Sequence, residues 1–276
     1  MEKTKISRTV RLTESAVMIA VATMLSFVPL AEMPFGGSVT AFSMVPIIII
    51  AYRHGMPWGL FTGFVHGIIQ LLIGMKVLAY ATTFQAAAAI IMLDYLAAFA
   101  VLGLGGLFRK NVKAQGMALT AGATLACVAR YIIHVIVGCT IWAGVSIPDA
   151  DGLIFSLAYN AAYMLPETLI TIVGVLLISS LLDFRRPTLG RAAVVQSQTV
   201  PVMILSLASK VVVAGAGIFV FLQIFTGVQT DEGYDAMALA DVNWLLLAVV
   251  AVSASFVAMV LATLARNMNN KAKVVA

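Results

Sequence analysis

Six ionisable side chains, Asp94, Arg130, His134, Glu167, His66 and Lys210, stand inside long apolar runs of this 276-residue chain. A charge in such a setting is costly unless it is paired or hydrated, so each is a candidate for function. Helical spacing puts Asp94 near the middle of the fourth apolar segment and Asn160 about two turns inside the start of the sixth. His134 falls in the outer half of the fifth segment and Trp142 at its outer end, on the orientation derived below. Together they would line an outward-opening pocket with an acidic floor, aromatic walls and neutral hydrogen-bonding groups near the mouth. A carboxylate in low dielectric attracts a cation, an indole stacks on a flat ring or holds a cation over its face, and an amide pairs with a heterocycle's donor and acceptor edge. A small aromatic cation suits that inventory.

Plainer roles stand beside these. Asp94 is also a candidate ion-pair partner for Arg130, and His134 a hydrogen bonder between packed helices. Trp142, Tyr159 and Tyr163 fit an interfacial aromatic belt. Arg130, one turn before His134, either holds Asp94 in place or satisfies backbone carbonyls. Glu167, just after Pro166, either ties down a helix break or meets substrate. Lys210 and His66 have no partner assignable from sequence.

The elements that must position these groups follow from composition. Apolar residues make up 62% of the chain and charged residues 11%, with a mean hydropathy of +1.03. A soluble domain would carry roughly a quarter charged residues, so the chain is read as an all-α polytopic membrane protein. Apolar windows between Gly, Pro and charge clusters predict eight spans, near 13–30, 39–52, 57–75, 83–107, 116–141, 154–182, 200–227 and 242–265. The second is short and is expected to be tilted or partly buried. The basic start followed by an apolar run is read as an uncleaved first helix, because no small-x-small cleavage site follows.

Lys and Arg set the orientation. With the N-terminus inside, Arg53, Arg109, Lys110, Lys113, Arg185, Arg186, Arg191, Arg266, Lys271 and Lys273 all lie in the cytoplasm and only Lys76 lies outside. Both termini are then cytoplasmic. The cytoplasmic stretch 183–199 divides six helices from two. It suggests a six-helix membrane domain over 1–185, a linker over 186–199 and a two-helix extension over 200–276.

Several chemistries lack their motifs. The sequence has no G-x-x-x-x-G-K-[ST] phosphate loop, no G-x-S-x-G and no H-E-x-x-H, and its three histidines lie at no ligand spacing. Asp94 has no second aspartate at comparable depth for an intramembrane protease. Cys127 and Cys139 lie about 18 Å apart along one helix, beyond disulfide reach. No enzyme activity, cofactor or metal is therefore expected, and the +5 charge sits at helix ends, where it implies no nucleic acid.

Four motifs in order carry a resemblance. They are Gly36-Gly37-Ser38-Val39-Thr40 leading to Ser43-Met44-Val45-Pro46, then Leu93-Asp94-Tyr95, then Arg130-Tyr131 with His134 and Trp142, and finally Tyr159-Asn160 ending in Leu165-Pro166-Glu167. From about residue 10 to 185 the chain resembles the thiamine-specific substrate-binding subunits, or S-components, of energy-coupling factor transporters. The resemblance implies a six-helix capsule that binds thiamine from outside, joined to a transmembrane coupling subunit and two cytoplasmic ATPases. It implies ligand contacts for Asp94, Tyr95, His134, Trp142 and Asn160. Phe155 stands where the family usually has tyrosine, so stacking survives there without a hydroxyl.

It also implies a small-residue docking face on the first helix, which Ala16 and Ala20 match; such spacing lets backbones approach closely. Other departures are the lack of tryptophan between Leu30 and Val39, a long alanine-rich stretch over 77–89, and the two extra C-terminal helices. Two alternatives remain: an autonomous secondary transporter in which Asp94 or Glu167 exchanges protons, and a membrane sensor or scaffold that binds without moving its ligand. The lack of an internal repeat disfavours the first.

Overall fold

The computed structural model describes residues 6–33, 36–81, 83–142, 149–192, 199–230, 233–234 and 242–275. Among them, helices follow one another as α1 (Arg8–Ser26), α2 (Val45–His54), α3 (Met56–Ile73), α4 (Phe84–Arg109), α5 (Gln115–Trp142), α6 (Asp149–Leu181), α7 (Val200–Val228) and α8 (Trp244–Val275). All but α2 contain a stretch long and apolar enough to cross a bilayer. The fold is all-α and its apolar spans make it a multi-pass membrane protein.

Local chemistry sets the ends. The Ser7 hydroxyl caps α1 by accepting from the Val10 N–H at 3.2 Å. Pro46 and Pro57 open α2 and α3, where a missing N–H costs nothing. Gly55, at φ +99°, separates those two helices in a conformation costly to a residue with a side chain. Pro166 does not break α6, which runs through it.

The second predicted span is corrected by the structure. Residues 39–44 are not helical, and α2 has ten residues, about 15 Å of helix against about 30 Å of hydrocarbon. Before it, β1 (Pro29–Glu32) pairs antiparallel with β2 (Ser38–Thr40) in a hairpin that returns into the bundle. Phe42 adopts a left-handed φ of +63°, which no right-handed helix accommodates. Non-helical backbone is tolerated at membrane depth where protein surrounds it. Val39, Thr40, Ser43 and Met44 are all buried here, as is α2 from Val45 to Arg53.

Small residues bring the other helices close. Gly59, Gly63 and Gly67 recur every four residues along α3; Gly63 and Gly67 face α4, and Gly59 sits against Ala51 of α2 as well as Gly103 of α4. A methyl group on Gly67 would lie 2.8 Å from the Tyr95 carbonyl, so the backbones approach as in other small-residue membrane interfaces. Within α4 the bonding widens to i→i+5 over Ile90–Ala97 and tightens to i→i+3 over Val101–Arg109. Asp94 lies in the widened part, a distortion often found at functional sites.

A buried arginine locks the end of the bundle where α1 begins and α2 ends. Arg53, 2% exposed, donates to both Glu14 oxygens at 2.6 and 2.7 Å. It also donates to the carbonyls of Phe184, Arg186 and Pro187 at 3.2, 2.8 and 2.8 Å. Arg185 reaches the Tyr52 hydroxyl at 2.6 Å and the Val112 carbonyl at 2.7 Å.

Two compact units result, one of 1–179 with 184–189 and one of 180–183 with 190–276. Phe184, Arg186 and Pro187, whose carbonyls Arg53 holds, belong to the first of these units. In the second unit α7 and α8 pack together, with Ser209 donating to the Ala258 carbonyl at 2.9 Å, and the short pairs β3–β4 (Leu182–Asp183 with Gly190–Arg191) and β5–β6 (Gln229–Thr230 with Gly233–Tyr234) close its turns.

Candidate functional site

The widened turn of α4 presents Asp94 to α5. His134 Nδ1 lies 2.9 Å from Asp94 Oδ1, and Arg130 Nε donates to His134 Nε2 at 3.1 Å. Because Nε2 accepts from a guanidinium, which has no lone pair to offer, the proton of a neutral imidazole is on Nδ1 and points at the carboxylate. The chain Arg130→His134→Asp94 thus orients the acid through the imidazole, so Arg130 supports Asp94 through His134 and makes no direct ion pair with it. Arg130 is itself held over the Phe99 ring, 4.3 Å from its centroid. The Asp94 side chain remains 25% exposed and that of His134 11%, so the carboxylate is reachable.

Opposite stands an aromatic stripe on α6. Phe155, Tyr159 and Tyr163 follow at four-residue spacing and therefore share one helix face. Phe155 and Tyr159 stack with centroids 5.8 Å apart and 17° between planes, and Tyr159 meets Tyr163 at 5.8 Å and 69°. Tyr163 then meets the His134 ring at 6.1 Å, edge to face, joining the stripe to the acidic chain.

Asn160 is buried beside it. Its Oδ1 accepts from the Tyr163 hydroxyl at 2.6 Å, and its Nδ2 donates to the Ser156 carbonyl at 2.8 Å and hydroxyl oxygen at 3.1 Å. The Ser156 hydroxyl in turn donates to the Val135 carbonyl at 2.9 Å. α5 approaches this network closely because Gly138 has no side chain; a methyl there would strike Ser156 Oγ. Asn160 has one Oδ1 lone pair left for a ligand, having spent its other capacity as a strut.

The strap, described over 29–33 and 36–44, crosses this region. Gly37 N–H donates to the Tyr159 hydroxyl oxygen at 3.2 Å, and a methyl on Gly37 would come 2.9 Å from the Tyr163 ring. On its other side, a methyl on Gly36 would meet Val77 at 2.9 Å. The strap therefore lies between the aromatic stripe and the connection from α3 to α4.

Tyr95 follows Asp94 in α4, but its hydroxyl donates to the Gly74 carbonyl at 3.1 Å and its ring stacks on Phe99. The Trp142 side chain lies outside the described residues. Ala16 and Ala20 are both exposed on α1. His66 is buried, with Thr23 Oγ1 and Gln70 Nε2 each 3.5 Å from its ring nitrogens, which is a packing role. Lys210 is exposed on α7, in the second unit.

Tyr159 and Tyr163, which as a sequence pattern also fit an interfacial belt, are drawn together with Phe155 by their four-residue spacing. Among the described residues no three His, Cys, Asp or Glu side chains gather as a metal site would require. A partly exposed carboxylate beside stacked rings and a buried amide could hold a flat cationic heterocycle.

Residues 12–188 match the family model described as thiamine transporter protein. The chain is 35% identical over 172 residues to the thiamine transporter ThiT of Bacillus subtilis, covering 58% of this chain and 85% of that protein. It is 31% identical over 183 residues to ThiT of Lacticaseibacillus paracasei, covering 59% and 85% respectively. A solved structure of ThiT from Listeria monocytogenes superimposes with a TM-score of 0.52 and 26% identity, covering 62% of this chain and 94% of that one. The family model spans well over half of the chain, a segment that holds the acidic chain, the strap and the aromatic stripe, and by that extent of match the chain belongs to the thiamine transporter protein family.

Proposed function

We propose that this protein captures thiamine and mediates its uptake as the substrate-binding subunit of an energy-coupling factor transporter. The observation that carries the reading is the oriented, reachable carboxylate of Asp94, set by His134 and Arg130 beside the rings of Phe155, Tyr159 and Tyr163. Thiamine offers a permanent cation for the carboxylate, flat rings for the stack and a polar pyrimidine edge for Asn160. Tyr95 and Trp142 complete the binding set on the family resemblance, and the pocket opens to the outside with both termini in the cytoplasm.

The chain carries no nucleotide-binding motif in its sequence, so the energy for transport comes from two ATPases acting through a transmembrane coupling subunit. The exposed small residues Ala16 and Ala20 suit close contact with a helix of that subunit. Purified full-length protein should bind thiamine stoichiometrically in a calorimetric or fluorescence titration. Affinity purification from the native membrane should recover the coupling subunit and both ATPases. Binding of an unrelated ligand in preference to thiamine would refute the substrate assignment, and absence of the ATPases would refute the transporter class.

A further inference from the structure

Glu167 lies midway along α6, 3% exposed, and takes no part in the binding chemistry above. Its Oε1 accepts from the Thr40 hydroxyl at 2.6 Å; Ser43 Oγ lies 2.5 Å from Thr40 Oγ1 and 3.4 Å from the same carboxylate oxygen. A hydroxyl has one proton to give. Thr40 spends its proton on Glu167, so it accepts from Ser43, and the short contacts form a directed relay Ser43→Thr40→Glu167. Both buried hydroxyls depend on the carboxylate for their direction.

Thr40 and Ser43 are the root of the strap, where the chain turns through the left-handed Phe42 into α2. The Phe42 ring is seated against α6 as well: a methyl on Gly174 would come 2.7 Å from it. Farther along the strap, Gly37 is tied to Tyr159. Tyr159, Tyr163 and Glu167 stand at i, i+4 and i+8, so a single face of α6 ties the strap at two points about 12 Å apart along the axis.

We propose that Glu167 is a positioning residue for ligand retention: through Thr40 and Ser43 it sets the register of the strap on α6, and so seats Gly37 against the aromatic wall of the site. The proposal rests on the thiamine reading only for the identity of what is retained. With the root released, the strap is held at one point, and departure of the ligand accelerates while its entry does not. A buried hydroxyl–carboxylate bond of this kind corresponds to roughly a tenfold effect or more. Glutamine at 167 keeps an oxygen that accepts from Thr40, so it restores the register, whereas leucine removes it.

The test uses the full chain with Cys127→Ala and Cys139→Ala, plus Met33→Cys as a reporter on the strap, where Met33 is 6% exposed. Two rates are measured in detergent: thiamine dissociation by stopped flow, and maleimide alkylation of the introduced thiol without ligand. Glu167→Leu and Thr40→Val should each raise both rates by roughly tenfold, with the association rate little changed. Glu167→Gln should return both to near the parent. Unchanged rates in both Glu167→Leu and Thr40→Val would overturn the proposal, as would a Gln variant indistinguishable from Leu. If Glu167→Leu does not fold, Thr40→Val alone decides. A parent protein that binds no thiamine would refute the functional reading, and the alkylation rates, which need no ligand, would then decide whether Glu167 positions the strap.

Discussion

Replacing Asp94 with asparagine removes one negative charge and preserves shape, because an amide oxygen can still accept from His134 Nδ1–H. The change therefore isolates the electrostatic contribution of the carboxylate to holding a cation. At a separation of about 5 Å, two unit charges interact by about 3 kcal/mol in an effective dielectric of about 20. The Asp94 side chain is 25% exposed, so solvent screens part of this and about 2 kcal/mol remains, a rise in Kd of roughly thirtyfold. Arg130 adds to the loss: with the carboxylate gone, its charge faces the incoming cation uncompensated. Isothermal titration of the purified variant with thiamine measures the change. The pyrimidine half of the molecule, offered as a neutral alcohol, is the control, since it presents no permanent cation and should lose less than about threefold. An equal loss for both ligands would show that Asp94 acts only on the shape of the site, and an unchanged thiamine Kd would refute its role as counter-charge.

Truncation after Arg191 keeps all the binding residues and the three carbonyls that hold Arg53, so the remaining protein should insert and bind thiamine within about tenfold of the full chain, or about 1.4 kcal/mol. Truncation after Asp183 removes those carbonyls, and it should lower the yield of monodisperse protein in size-exclusion chromatography; equal yields would show that the turn is dispensable. Arg53→Ala leaves Glu14 without its bidentate partner and should cost about 3 kcal/mol. That loss appears as a fall of roughly 6 °C or more in Tm by thermal unfolding in detergent, with the affinity of the surviving folded protein unaltered. The single chain in liposomes with a proton gradient should accumulate no thiamine; gradient-driven accumulation would favour a secondary transporter.

Much of the architecture is legible in one dimension because a bilayer imposes a simple rule on sequence. A helix that must satisfy its own backbone bonds in lipid needs a long apolar run, and runs of this kind mark α1 and α3 to α8. Ionisable residues inside such runs are costly, so Asp94 and His134 stood out by type alone, and helical spacing put them at compatible depths. The root of the strap did not stand out, because Val39, Ala41 and Phe42 are as apolar as the span expected to begin at 39, and hydropathy does not distinguish a buried non-helical stretch from a short helix. The same ambiguity hid the length of α2, which is shielded from lipid by its neighbours and needs no spanning length.

The sequence by itself determined that the chain lives in a membrane, where most of its helices run, and which side chains are too polar to be there without purpose. Tertiary structure alone decided how those side chains pair. Asp94 meets His134 across 40 positions, and Thr40 meets Glu167 across 127. It also made a wall of Tyr159 and Tyr163, by laying the strap against one and the His134 ring against the other. The physical reason is that hydropathy and helical period constrain a residue against its own neighbours and the solvent, whereas a hydrogen bond a few ångströms long depends on how separate helices pack. Here that packing rests on close approaches such as that of Gly67 to α4 and on the widened turn that carries Asp94.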